Sequence, residues 1–253
     1  MVALTFHFHG RLNELLPAGA RDRPIDRVVD GSPTVKDVIE SLGIPHVEVD
    51  AIVAAGVSVD FEHRVCDGES VEVYPDASEV DGLTRVRSLK PPPLPPERLR
   101  FVLDGHLGRL AAYLRMLGFD TSYWNHAADD ALATLASREE RTLLTRDRGL
   151  LKRAIVRRGY FVRSDRPHDQ LREVVVRFGL GPACRLFGRC MRCNSPLEAI
   201  ALAAARTRVP PRVALEQTEF QHCPACDTLY WRGSHHARML RLIEAVVPEA
   251  VAH

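Results

Sequence analysis

Two sets of residues have types and spacings suited to chemistry. The first is a set of thiols, Cys190-x-x-Cys193 and Cys223-x-x-Cys226, two pairs separated by 29 residues. Four thiolates at this spacing suit one tetrahedral Zn²⁺. Four protein ligands leave no open coordination position, so such an ion is expected to hold a small lobe together rather than to catalyse. His222, His235 and His236 stand nearby, but the complete cysteine set makes them unnecessary as ligands. Cys66 and Cys184 are expected to be plain buried thiols.

The second set is acidic. Asp104, Asp147 and Asp165 each follow a short apolar run that reads as a buried strand, and Asp130 stands at a helix start. Parallel strands place their carboxyl ends on one edge of a sheet, where open α/β folds bind ligands. Carboxylates gathered there repel one another unless cations neutralise them. Hard oxygen ligands suit Mg²⁺ or Mn²⁺, and one or two such ions can activate water for phosphodiester cleavage. The competing reading is local, because Asp after a strand is often a helix N-cap.

The elements that must position these groups follow from periodicity. Arg100-Phe-Val-Leu-Asp104 is a strand ending in an acid. Leu107, Leu110, Ala111 and Leu114 then mark one helix face, closed by Gly118. Asp129-Asp130 opens a helix containing Leu132 and Leu135. Thr142-Leu-Leu-Thr-Arg-Asp147 repeats the strand-then-acid arrangement, residues 149–157 read as helical, and Tyr160-Phe-Val-Arg-Ser-Asp165 is a third case. Strands alternating with helices imply an α/β domain with a parallel sheet.

Five of the six residues 91–96 are proline, a stiff extended spacer. Before it, Val2, Leu4, Phe6 and Phe8 alternate as a half-buried strand. Thr34-x-x-Asp37 can cap a helix bearing Val35, Val38, Ile39 and Leu42, which Gly43 and Pro45 end. Strands are expected at Ala51–Val53, Val57–Phe61 and Ser70–Val73. Strands packed on one helix in so short a span suggest a β-grasp fold. The expected division is 1–80 β-grasp domain, 81–97 linker, 98–182 α/β domain and 183–253 zinc-ribbon lobe.

The run from Thr34 through Leu42-Gly-Ile-Pro45 to Asp67-Gly-Glu69 and Val71-Glu-Val-Tyr-Pro75 resembles small sulfur carriers of the ubiquitin superfamily. Those carriers end in an exposed Gly-Gly, whereas here Tyr74-Pro75-Asp76 leads on into more chain. A structural or docking module is therefore expected, not a carrier. Asp104-Gly-His-Leu-Gly-Arg-Leu-Ala-Ala-Tyr-Leu-Arg-Met-Leu-Gly-Phe-Asp120, Asp129-Asp130 and Arg141-Thr-Leu-Leu-Thr-Arg-Asp-Arg148 look like the Mut-seven C-terminal ribonuclease family, a branch of the PIN-like nucleases. The match continues through Arg189-Cys-Met-Arg-Cys-Asn194, Cys223-Pro-Ala-Cys226 and Tyr230-Trp-Arg-Gly-Ser-His235. The resemblance implies a metal-dependent RNase with Asp104, Asp130 and Asp147 as its first, second and third acids and Asp165 as a fourth. It also implies an N-terminal ubiquitin-like domain.

RNA is accordingly the expected partner. Arg109 and Arg115, on the helix after Asp104, and Arg146 and Arg148, flanking Asp147, are its candidate phosphate ligands. Tyr230 and Trp231 beside Arg189, Arg192 and Arg232 can stack on unpaired bases or pack in a core. Charge divides the same way: residues 1–90 carry 9 Lys+Arg and 16 Asp+Glu, net −7, and residues 91–253 carry 25 and 17, net +8. Two other readings stand beside the RNase. One is a zinc-ribbon module that binds RNA or a ribosomal surface without turnover. The other is a nuclease whose acidic N-terminal domain covers its own site or meets a protein partner. The apolar runs are too short for a membrane span. Met1–Phe8 lacks a basic region, so a cytoplasmic location is expected.

Overall fold

A computed structural model describes residues 1–248, which divide into two compact units. One comprises Met1–Pro93 with Asp129–Phe161, the other Leu94–Ala128 with Val162 onward. The break at Pro93 falls inside the proline run. The units cut across the linear division expected from sequence, because Asp129–Phe161 groups with the N-terminal residues.

In the first unit, β1 (Val2–Phe8), β2 (Ile25–Val29), β3 (Ala51–Ala54), β4 (Val57–Val59) and β5 (Glu69–Tyr74) form one mixed sheet in the order β2-β1-β5-β3-β4. β1 runs parallel to β5 and antiparallel to β2. Alternation in β1 puts Leu4, Phe6 and Phe8 into the core. Helix α1 (Val35–Ser41) buries Val35, Val38 and Ile39 in that same cluster. Thr34 and Asp37 form the expected capping box, and Gly43 leaves the helix at φ +94. This is the β-grasp layout. β2 was not foreseen, because Ile25-Asp-Arg-Val-Val29 is mostly exposed and shows no clean alternation.

The same unit contains α2 (Asp129–Arg138), β6 (Thr142–Thr145), α3 (Arg148–Leu151) and β7 (Gly159–Phe161), with β6 parallel to β7. The expected helix over 149–157 is thus only one turn. β7 ends at Phe161, so Asp165 stands four residues past the strand rather than at its tip.

In the second unit, β8 (Phe101–Leu103) runs parallel to β9 (Thr121–Tyr123), joined by α4 (Gly108–Met116). Helix α5 (Pro167–Phe178) packs on α4. The cysteine lobe follows with β10 (Glu198–Ala199), α6 (Leu202–Arg206), α7 (Pro211–Glu216), β11 (Phe220–His222), β12 (Leu229–Trp231) and α8 (Ser234–Val246). Its three strands form an antiparallel sheet in chain order. Among the described residues, no helix is long and apolar enough to cross a membrane.

Candidate functional site

The four cysteine sulfurs converge. All four Sγ atoms lie within 4.8 Å of one another. Cys190 Sγ is 3.5 Å from Cys226 Sγ, and Cys193 Sγ is 3.3 Å from Cys223 Sγ. A tetrahedral Zn²⁺ with bonds of about 2.3 Å holds its sulfurs about 3.8 Å apart, so this set fits such an ion. Asn194, at φ 75, and Asp227, at φ 58, turn the backbone just after each Cys pair. Tyr230 Oη meets Cys190 Sγ at 3.1 Å and Thr228 Oγ1 meets Cys226 Sγ at 3.2 Å, giving the thiolates hydroxyl partners. Burial raises the Cys193 thiol, but bonds from Ser195 and the neighbouring cysteines outweigh it and bring it down to about 6. Burial pushes Cys223 up to about 12, so a cation is what would keep it ionised. His222 instead pairs with Asp227 at 2.7 Å.

Arg115 ties this lobe to the strand–helix unit. Its side chain is buried, its Nε donates to Thr121 O at 2.9 Å, and its Nη1 donates to Met191 O and Arg192 O at 3.1 and 3.0 Å. Burial lowers its pKa, while the nearby thiols oppose that shift. Asn194 adds two bonds, accepting from Thr121 N at 2.9 Å and donating to Asp120 Oδ1 at 2.8 Å. Gly118, at φ +98, admits Arg185 O where a Cβ would stand 2.4 Å away. The expected role of Arg115 as a phosphate ligand is therefore corrected: its guanidinium is enclosed by carbonyls and clamps the first Cys knuckle. Arg109, on the same helix, is exposed.

The acids occupy different settings. Asp104 is buried at the end of β8 and accepts from His106 N at 2.9 Å. Asp147 is exposed after β6 and caps α3, accepting from Gly149 N at 2.7 Å and Leu150 N at 3.4 Å with Oδ1. The local reading, helix capping, thus holds for both. It does not exclude metal binding, since an ionised carboxylate has about four acceptor sites. Asp130 is 85% exposed and forms an ion pair with Arg153. Asp165 is exposed beside the start of α5. Among the described residues, the cysteines are the group of three or more potential ligands brought together within a unit.

Arg148 is half-buried. Its guanidinium carbon lies 5.1 Å from the Phe161 ring centroid and its Nη1 is 3.5 Å from Gly43 O. It is thus engaged with Phe161 and the β-grasp lobe. Further contacts join that lobe to α3 and β7. Lys152 Nζ donates to Glu40 O at 2.5 Å, His46 Nε2 meets Val156 O at 3.1 Å, and buried Glu48 accepts from Phe161 N at 2.7 Å. Arg146 is half-buried. The expected burial of Cys66 fails, since it is exposed, and Cys184 is intermediate.

Two parallel strand pairs with acids near strand ends, a β-grasp lobe and a four-thiolate lobe define a multidomain α/β chain. The chain belongs to the Mut7-C RNAse domain family, whose model matches residues 99–243, and the Mut7-C ubiquitin model matches residues 1–81. Among solved structures it is similar to molybdopterin converting factor, subunit 1, from Pyrococcus furiosus. That match has 20% identity and a TM-score of 0.24, and it covers 30% of this chain and 98% of that one. No curated relative matches. The family supports a nuclease role in general.

Proposed function

We propose that the chain is a metal-dependent ribonuclease with a PIN-like fold. Asp104 and Asp147 are its principal acids and Mg²⁺ or Mn²⁺ its cofactor. The observation that carries this reading is that Asp104 directly follows one parallel strand, Asp147 lies two residues past the end of another, and each is fixed there by an N-cap bond, within a chain of the Mut7-C RNAse family. Such bonds pin one carboxylate oxygen and orient the other for a hard cation. A bound Mg²⁺ or Mn²⁺ would polarise the phosphate and lower the pKa of water. Asp130 joins the set when it exchanges Arg153 for a cation, and exposed Asp165 is a peripheral fourth. Exposed Arg109 and half-buried Arg146 remain phosphate ligands in this reading, while Arg115 and Arg148 act structurally. Zn²⁺ in the Cys₄ lobe is structural.

Cleavage of labelled single-stranded RNA in Mg²⁺, Mn²⁺ or EDTA tests this. Asp147→Asn and Asp104→Asn are each expected to lower the metal-dependent rate by at least about 10²-fold, the scale of losing a group that acts on the reacting atoms. Wild-type rates in both variants would sink the assignment. Salt-sensitive RNA binding with no turnover in any metal would favour the second reading, a ribbon that binds RNA without cutting it. The arginines and aromatic rings of the Cys lobe give that reading its support.

A further inference from the structure

The Cys lobe contains a cavity of about 740 Å³ that metal binding does not use. Its lining includes Phe187, Tyr230, Trp231, Arg189, Arg232 and His236. A volume of this size accommodates a small ligand. The rings are already ordered: Phe187 lies against His236 with centroids 4.2 Å apart and planes tilted by 32°, and Tyr230 is held by Cys190. The Trp231 indole lies against Gly233, where a Cβ would stand 3.0 Å from Nε1. Burial, and secondarily Arg232, lower the pKa of His236, so its ring is a neutral stacking face at pH 7.

One end of the cavity is built for an anion. Gly233, Ser234, His235 and His236, the start of α8, line it. Gly233 is the N-cap and gives no side-chain cap to the first turn of a 13-residue helix. The N–H groups and dipole at such a terminus favour a phosphate. Arg189 and Arg232 supply positive charge, and Glu219 is the one acid in the lining among the described residues. Glu219 sits 3.4 Å from Arg232 in a pair exposed by about 70% on both sides. Such a pair is weak and exchangeable.

We propose that this cavity binds one unpaired nucleotide of single-stranded RNA, with the base against Trp231 and Phe187 and the phosphate at the start of α8 beside Arg232. The choice of nucleic acid rests on the ribonuclease reading. Flat rings next to cations and a helix N-terminus match a nucleotide, and a duplex keeps its bases stacked and out of reach.

The chain has two tryptophans, so Trp124→Phe leaves Trp231 as the sole reporter. A 12-nucleotide single-stranded RNA is titrated into this variant in Ca²⁺, beside a blunt duplex of the same sequence. Quenching of Trp231 by the single strand and not by the duplex is expected. Trp231→Ala, with zinc content measured as a folding control and binding read by the anisotropy of a dye-labelled strand, should weaken single-strand affinity by about 5- to 150-fold, and Trp231→Phe should restore most of it. Saturable RNA binding with unchanged Trp231 emission, or equal quenching by duplex, overturns the proposal. Because the titration does not measure turnover, the two readings fail separately. Quenching without cleavage in either Mg²⁺ or Mn²⁺ sinks the ribonuclease and leaves the cavity, whereas cleavage with a silent Trp231 does the reverse.

Discussion

The β-grasp lobe and the cysteine lobe each grip a strand–helix segment of their own compact unit, but with different internal support. The β-grasp lobe has a full apolar core, with Leu4, Phe6, Ile39, Ile52 and Val71 all essentially buried, and Phe161 of β7 packs against it. Its polar contacts to α3 and β7, from Glu40, Gly43, His46 and Glu48, decorate a body that already has a reason to fold. The cysteine lobe is poor in core. Cys190 and Cys223 are themselves among its few buried side chains, beside Ala205, Phe220 and, at the end of the lobe, Ile243, Val246 and Val247. Arg115 and Asn194 then attach its first knuckle to α4 and β9 by hydrogen bonds. One lobe stands on burial and the other has a four-thiolate set that fits a metal, so conditions that remove metal should separate them.

The largest effect follows from that contrast. Cys190→Ala, or exhaustive chelation, removes binding energy on the order of 10 kcal/mol from a lobe with little else to hold it. Limited proteolysis should then cut within residues 183–248 while Met1–Pro93 stays resistant, and stoichiometric zinc should protect the wild type but not the variant. Equal resistance of the lobe with and without metal would show that its apolar contacts suffice, and the comparison would collapse.

What could be read from sequence follows the same divide between local and distant causes. The Cys pairs, the Thr34–Asp37 box and the strand-then-acid runs at Asp104 and Asp147 are written in adjacent residues, and the structure presents each of them. Arg115 and Arg148 carry no such local mark. They have partners 76 and 105 residues away, so their charge suggested phosphate while the fold encloses Arg115 in carbonyls and sets Arg148 against a ring. Asp165 misled because Tyr160-Phe-Val-Arg-Ser looks like a strand throughout, yet pairing with β6 stops at Phe161. β9 was missed because three residues, Thr121-Ser-Tyr123, are too few for periodicity to register. The PIN-like fold rests on the resemblance alone, since no short pattern in the sequence specifies it.

A middle-sized effect probes the gripping surface of the β-grasp lobe. Glu48 is 1% exposed, accepts from Phe161 N, and lies 3.7 Å from Arg11 Nε. Glu48→Ala removes the acceptor from a largely enclosed N–H and the anion from beside a guanidinium. It should cost about 2–4 kcal/mol in urea unfolding, and Glu48→Gln should cost less because its carbonyl still accepts. If both variants unfold with wild-type midpoints, the lobe's attachment to β7 is apolar alone. These contacts also describe a lobe that supports the helix capped by Asp147, which is a different role from covering it.

The smallest effect separates the lobe's own folding from its grip. Thr34 accepts from Asp37 N at 3.2 Å, and Asp37 reaches back to Thr34 N at 3.3 Å, so the box closes the first turn of α1 from both sides. The other end of α1 holds Glu40 and leads to Gly43, the carbonyls that receive Lys152 and Arg148. Thr34→Ala should cost about 1 kcal/mol, the usual worth of an N-cap side chain. In native-state hydrogen exchange that loss should appear across α1 and at the Lys152 amide, while zinc affinity stays unchanged. A loss confined to the first turn of α1 would mean that the grip on α3 does not depend on the stability of the helix presenting it. A loss extending to Cys190 and Cys223 would mean that the two lobes fold as one, and that core and metal are not separable supports.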